Sequence, residues 1–299
     1  MKTLLAFAAI YFIWGSTYLG IKYAIETIPP FLMAGIRNFS PGLFLFIVLK
    51  LRGEPSPERS HWRDASIIGA LLLLGGNGLV TWAESYVPSG LAALLVATVP
   101  LWMSVINGFY GDKLMPTRRE IVSILLGLCG LAVLIGPEEI IGGGRIHTLG
   151  AFALIAATLL WSFGSLFSRR AHLPSSPMMT VSIEMMVGGG LLLILAVFTS
   201  DWHSVQWNAV SQKSILAVIY LCVFGSLLGF TAYIWLLKHV APNKVATYAY
   251  VNPIVAVLLG ALMGGEELTV RTLVSAGIII LAVVLMTIKR TTTAQEKKS

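Results

Sequence analysis

Long apolar runs, broken at short intervals by proline, glycine or clustered charges, organise this chain. A helix needs about 20 apolar residues to cross the hydrocarbon core of a bilayer. The breaks have the composition of helix ends. The pattern predicts an all-α membrane protein of ten transmembrane helices, at roughly 3–24, 31–51, 65–86, 89–110, 119–136, 148–168, 177–199, 213–237, 242–264 and 270–289. The substantial loops are 52–64 and 200–212. Lys2 followed by LLAFAAIYFIW has the opening of a signal peptide, but no A-x-A site follows and the apolar run continues to Leu19. It reads as a retained first span.

Composition agrees with that reading. Charged residues make up 12% of the chain and apolar ones 56%, with a mean hydropathy of +0.81; soluble domains carry about 25% charged residues. Charge placement adds an orientation. Lys2, Lys50, Arg52, Arg59, Arg63, Lys113, Arg118, Arg119, Arg169, Arg170, Lys238, Lys244, Lys289, Arg290, Lys297 and Lys298 all fall at one set of span ends. Only Lys22, Arg37, Arg145, Lys213 and Arg271 do not. The positive-inside rule puts that set, and both termini, in the cytoplasm. The formal charge of +7 is then a topology signal, and no nucleic-acid partner is expected. Cys129 and Cys222 lie mid-span and imply neither a disulfide nor a metal framework.

The chain also repeats itself. Trp14 aligns with Trp161, Lys22 with Arg169, Pro30 with Pro177 and Gly42 with Gly189. With small gaps, Pro88 aligns with Pro242, Pro100 with Pro253, and GDKL (111–114) with GEEL (265–268). Residues 3–136 and 148–289 are therefore expected to be two five-helix repeats, followed by a cytoplasmic tail at 290–299. An odd number of spans inserts the second repeat upside down relative to the first. Inverted repeats are a transporter architecture with the substrate site near mid-membrane.

Several stretches carry a family resemblance: FIWGSTYLGIK (12–22), AGIR (34–37), GNGLVTWAE (76–84), VPSGLAALLVATVP (87–100), AYVNPIVAVLLG (249–260) and GGEELT (264–269). The chain resembles the EamA family of the drug/metabolite transporter superfamily over about residues 5–288. The resemblance implies a basket of ten spans around a central cavity in the inner membrane. It also implies export of small metabolites or amino acids. It does not name a substrate.

Polar residues inside apolar runs mark candidate sites, because a spanning helix turns them to the bundle interior or to a watery cavity. Asn77, Thr81 and Glu84 are spaced to share one face of the third span. Asn77 reads as cavity lining or as a helix–helix bond; Glu84 as cavity lining or as a headgroup residue. Trp14, Tyr18 and Lys22 share a face of the first span, as Trp161, Ser165 and Arg169 do in the sixth. Tyr248 with Asn252, and Thr98 with Trp102, flank Pro253 and Pro100. The expected substrate-binding residues are Trp14, Tyr18, Asn77, Thr81, Trp102, Trp161, Ser165, Tyr248 and Asn252, with Pro100 and Pro253 as hinges. Spans 1, 3, 4, 6, 8 and 9 are expected to line the cavity.

The intramembrane charges follow the repeat. Arg37 and Glu184 lie equally deep after Pro30 and Pro177, while Glu84 and Lys238 lie equally far before Pro88 and Pro242. An unpaired charge at a helix centre costs roughly 2.5–3.5 kcal/mol on insertion scales. Arg37–Glu84 and Glu184–Lys238 are therefore expected to pair, as gates at the outer and inner ends or as static braces. A small-molecule substrate and the lipid bilayer are the expected partners. A proton is a candidate coupling ion on Glu84 or Glu184. Monomer and homodimer both stay open. GxxxxGK[ST], HExxH and GxSxG are absent, so neither cofactor, metal nor catalytic residue is expected. A non-transporting or enzymatic polytopic protein is the competing reading.

Overall fold

Proline opens several helices, where its missing N–H would have had no partner anyway. Pro30 and Pro177 start two of the longest. The computed structural model describes residues 1–86, 92, 95–110, 116–135, 148–199, 201–264 and 270–287. Pro88, Lys113, Arg145, Lys289, the GDKL and GEEL motifs and the 290–299 tail lie outside them. The described residues form α1 (Lys2–Ile25), α2 (Pro30–Leu51), α3 (Arg59–Ala83), α4 (Val99–Phe109) and α5 (Arg118–Ile135). They continue as α6 (Thr148–Ser168), α7 (Pro177–Phe198), α8 (Gln212–His239), α9 (Tyr248–Gly264) and α10 (Val270–Thr287). No strand occurs among the described residues. α1, α2, α3, α6, α7 and α8 are each long and apolar enough to cross a membrane. Large apolar side chains such as Phe12, Phe44, Leu125, Phe152 and Ile219 are exposed on the outside, as a lipid-facing surface requires.

α2 and α7 pack tightest, and small residues explain it. A Cβ on Gly42 would lie 2.7 Å from Met185 Cβ, and one on Gly189 would lie 2.3 Å from the backbone nitrogen of Phe39. The two contacts are reciprocal, since Gly42 and Gly189 aligned in the sequence repeat. Without a hydrophobic drive between helices in lipid, close backbone approach of this kind supplies the packing energy. Gly188 likewise meets the backbone of Gly69 on α3, so the Gly188–Gly190 stretch is a packing surface.

Among the described residues, three helices carry turns that depart from α geometry. π-helical turns occupy Ala9–Ile13 in α1, Ala70–Gly78 in α3 and Leu221–Phe230 in α8. Such bulges shift side-chain register and free carbonyls, and they recur at functional sites.

The basic end of the bundle is tied by polar contacts. Arg169 Nη1 donates to the carbonyls of Leu237 and Val240, both at 2.9 Å, capping the last turn of α8. Asp64 accepts from the His172 backbone N–H at 2.8 Å and pairs with Arg63. At the opposite end Asp201 accepts from the Phe31 N–H at 2.9 Å, and Lys213 pairs with Glu26 at 2.7 Å.

Candidate functional site

A cavity of about 100 Å³ lies between α1, α2, α3, α4, α6, α8 and α9. Its floor is aromatic. Trp14 stands with its ring centroid 5.0 Å from Tyr248, 5.1 Å from Tyr233 and 5.7 Å from Trp161. Edge and tilted contacts at these separations are the favoured geometries for aromatic rings. Trp161 Nε1 donates to Tyr233 Oη at 2.8 Å, and Ser165 Oγ shares a 2.6 Å hydrogen bond with the same hydroxyl. Trp14 Nε1 donates to the Gly225 carbonyl at 3.0 Å, within the π-helical stretch of α8.

Two glycines seat the two indoles. A Cβ on Gly229 of α8 would lie 2.4 Å from Trp14 Nε1, and one on Gly76 of α3 would lie 2.6 Å from Trp161 Cε3. Each tryptophan therefore depends on a gap in a helix from the other half of the chain. Tyr233, Gly76 and Gly229 escape a sequence reading because the reason for them is a neighbour distant along the chain.

Below this floor, toward the basic end, apolar side chains close the bottom of the cavity. Ile10, Met103, Leu236, Leu237 and Val245 are fully buried there, and Tyr11 Oη meets Thr247 Oγ1 at 2.6 Å. In the other direction the cavity wall continues through Tyr18, Asn77 and Arg37 to Glu84, just past α3.

The wall there is polar. Arg37 Nε donates to Ser226 Oγ at 3.4 Å, Ser226 Oγ to Asn38 Oδ1 at 3.0 Å, and Asn38 Nδ2 to Asn77 Oδ1 at 3.4 Å. This chain links α2, α3 and α8. Arg37 Nη1 and Glu84 Oε1 are buried without a hydrogen-bond partner. Unsatisfied buried polar atoms are rare in folded proteins and ask for an explanation.

The expected residues divide. Trp14, Tyr18, Asn77, Trp161, Tyr248 and Asn252 line the cavity, as do Arg37 and Glu84. Glu84 is thus part of the cavity wall. Thr81, Ser165 and Trp102 stand off the wall. Thr81 is fully buried and bonds back to the Asn77 carbonyl at 2.9 Å. The wall stripe of this span runs through Leu73, Asn77, Val80 and Glu84. Ser165 sits behind Tyr233, and Trp102 Nε1 donates to Thr98 Oγ1 at 3.1 Å. With its amide nitrogen turned to the carbonyls, Asn252 donates to Ile10, Tyr11 and Tyr248 at 3.0–3.1 Å. It satisfies carbonyls in the π turn of α1.

α2 joins the wall through Arg37 and Asn38, beyond the six expected spans. Of the two expected hinge prolines, Pro253 lies inside α9 and Pro100 in the first turn of α4. Neither expected charge pair closes into an ion pair. Arg37 and Glu84 share the wall without bonding each other, and Glu184 is fully buried with neither oxygen bonded. Lys238 lies instead on a polar pocket at the basic end. Among the described residues no cluster of side chains suits a metal ion.

A helical bundle with apolar outer faces and a polar, aromatic-floored cavity fits a membrane transporter. The chain belongs to the EamA-like transporter family, which matches residues 1–136 and 148–288. It is a multi-pass protein of the inner membrane. It is 41% identical over 286 residues to the uncharacterized inner membrane transporter YedA of Escherichia coli strain K12, covering 95% of this chain and 90% of that one. The probable amino-acid metabolite efflux pump of Salmonella typhimurium is 25% identical, with 90% of each chain covered. A solved crystal structure shares the fold with a TM-score of 0.76 at 19% identity, over 96% of this chain and 97% of that one.

Proposed function

We propose that this protein is a secondary transporter that exports small zwitterionic metabolites, amino acids among them, by alternating access through the aromatic-floored cavity. The observation that carries this reading is the pair of unsatisfied charged atoms on one wall. Arg37 Nη1 suits a carboxylate and Glu84 Oε1 an ammonium group. The rings of Trp14, Trp161 and Tyr248, backed by the buried Tyr233, would receive the apolar part of such a substrate. In this reading ten spans form two inverted repeats, 3–136 and 148–289, with both termini cytoplasmic. The reciprocal Gly42 and Gly189 contacts, the crossed seating of Trp14 and Trp161, and the two family matches support it. The name of the Salmonella relative supports the substrate class.

The test is counterflow of radiolabelled L-amino acids in proteoliposomes. Arg37→Met and Glu84→Gln are each expected to weaken substrate binding by at least about tenfold, the loss of one charge-assisted hydrogen bond. Wild-type liposomes that exchange no amino acid would overturn the substrate class. Full activity in both variants would overturn the binding roles.

A further inference from the structure

Glu184 is the charged side chain that the transport reading leaves without a task. It sits seven residues into α7, near the basic end, where it is fully buried, as are Val181, Ser182, Ile183 and Met185 of the same helix. Neither carboxylate oxygen has a hydrogen-bond partner. The helices packed against α7 include α2, α3 and α8. Of the charged groups they carry, Arg63 and Asp64 on α3 hold each other, Lys50 on α2 bonds the Glu54 carbonyl and Ser56, and His61 on α3 accepts from the Glu58 N–H. Arg59 and His239 are exposed, His239 against the Trp235 carbonyl, while Lys213 pairs with Glu26 and Asp201, on the short helix Asp201–Ser204, accepts from Phe31 at the opposite end. Arg37 and Glu84 face the cavity. Lys238, at the end of α8, is the group whose charge acts on Glu184, without contact between them.

An ionised carboxylate with no hydrogen bond and no ion-pair partner is among the costliest groups a protein interior can hold, so such groups neutralise instead. A bound proton removes that cost here. The source of the proton is also constrained. Glu184 is not on the wall of the cavity, which runs toward the other end of the bundle. On its own side, a polar pocket of about 250 Å³ lies between α6 and α8, lined by Ser168, Arg169, Leu237 and Lys238. The Arg169 bonds to the end of α8 close that side.

Resting on the transporter reading, we propose that Glu184 is a proton-binding site loaded from the basic, cytoplasmic end, and that its protonation is required for that end to close. When the Arg169 bonds break and water enters, one O–H bond of the Glu184 carboxyl breaks. The proton goes to water, and the carboxylate is left facing Lys238. When the end closes, a proton from the same side binds an oxygen again. The proton therefore returns to the compartment it came from. Glu184 makes transport sensitive to cytoplasmic pH without moving a proton across the membrane.

Infrared spectroscopy of the full-length protein in lipid nanodiscs reads the proton directly. At neutral pH the wild type is expected to show a protonated-carboxyl stretch that Glu184→Gln and Glu184→Met both lack. Identical spectra in the carboxyl region would overturn the proposal, whatever the substrate. Inverted membrane vesicles, with the cytoplasmic face outward, supply the second readout: counterflow of a radiolabelled amino acid. The wild-type rate is expected to fall as external pH rises and to ignore lumenal pH, and Glu184→Gln is expected to lose the response. Accumulation driven by a pH gradient, or an unchanged pH response in Glu184→Gln, would overturn the proposal. Absence of counterflow in the wild type counts against the transporter reading, and the infrared band then decides Glu184 alone.

Discussion

Trp14 shows how much of this site hangs on single atoms. Its indole donates to Gly225, touches three other rings and occupies the gap that Gly229 leaves. A methyl group at residue 229 must displace it, because its Cβ would sit 2.4 Å from the ring nitrogen. Gly229→Ala is expected to cost about 1–3 kcal/mol through overpacking and to lower the melting temperature in detergent. Gly277→Ala is the control. Nothing lies within 4 Å of that position, and alanine's better helix propensity predicts a neutral or slightly stabilising change of up to about 1 kcal/mol. Equal melting temperatures for the two variants would refute the seating of Trp14. Much of this cluster was legible beforehand. Trp14 and Trp161 stand out because both halves keep a tryptophan there, and Arg37, Asn77 and Glu84 because polar groups in an apolar run need a reason. Tyr233 was not legible, since its role comes from contacts with Trp161 and Ser165, about seventy positions earlier in the chain.

Helices carry the next level of the argument. Apolar run length is a local property, so the long spans could be read directly from sequence. Register inside a span could not. The expected stripe of Asn77, Thr81 and Glu84 assumed about 100° per residue throughout. The observed stripe of Leu73, Asn77, Val80 and Glu84 keeps that spacing, but the neighbouring helices leave Val80 rather than Thr81 on the wall. Packing between helices yields a sharper expectation. Gly42→Leu and Gly189→Leu both insert a side chain into the α2–α7 contact, where a Cβ already falls within 2.7 Å and 2.3 Å of the facing helix. Each is expected to abolish a monodisperse peak in detergent size-exclusion chromatography. A well-folded Gly189→Leu would show that the helices can separate without loss of the fold.

At the level of the entire bundle, the cavity is closed toward the basic end and extends the other way. Tyr18 and Glu84 lie along its wall, while Ser165 and Leu237 are buried behind the aromatic floor. In a variant lacking Cys129 and Cys222, Tyr18→Cys is expected to react with a membrane-impermeant maleimide added to intact cells. Ser165→Cys is expected to stay unlabelled. The reverse pattern would place the closed end on the outside and contradict the proposed orientation.

Hydrophobic run lengths, charge placement and internal repetition are one-dimensional, and they carried the membrane class, the expected spans and the candidate residues. Distances between chain segments far apart in sequence are not one-dimensional. Only packing left Arg37 and Glu84 on a shared wall without a bond between them. Packing also buried Glu184 without a partner and cut Gly76 and Gly229 to the shape of two indoles. A charge in an apolar run announces that it must be neutralised; whether a neighbour, a substrate or a proton does so depends on which helix lies across from it.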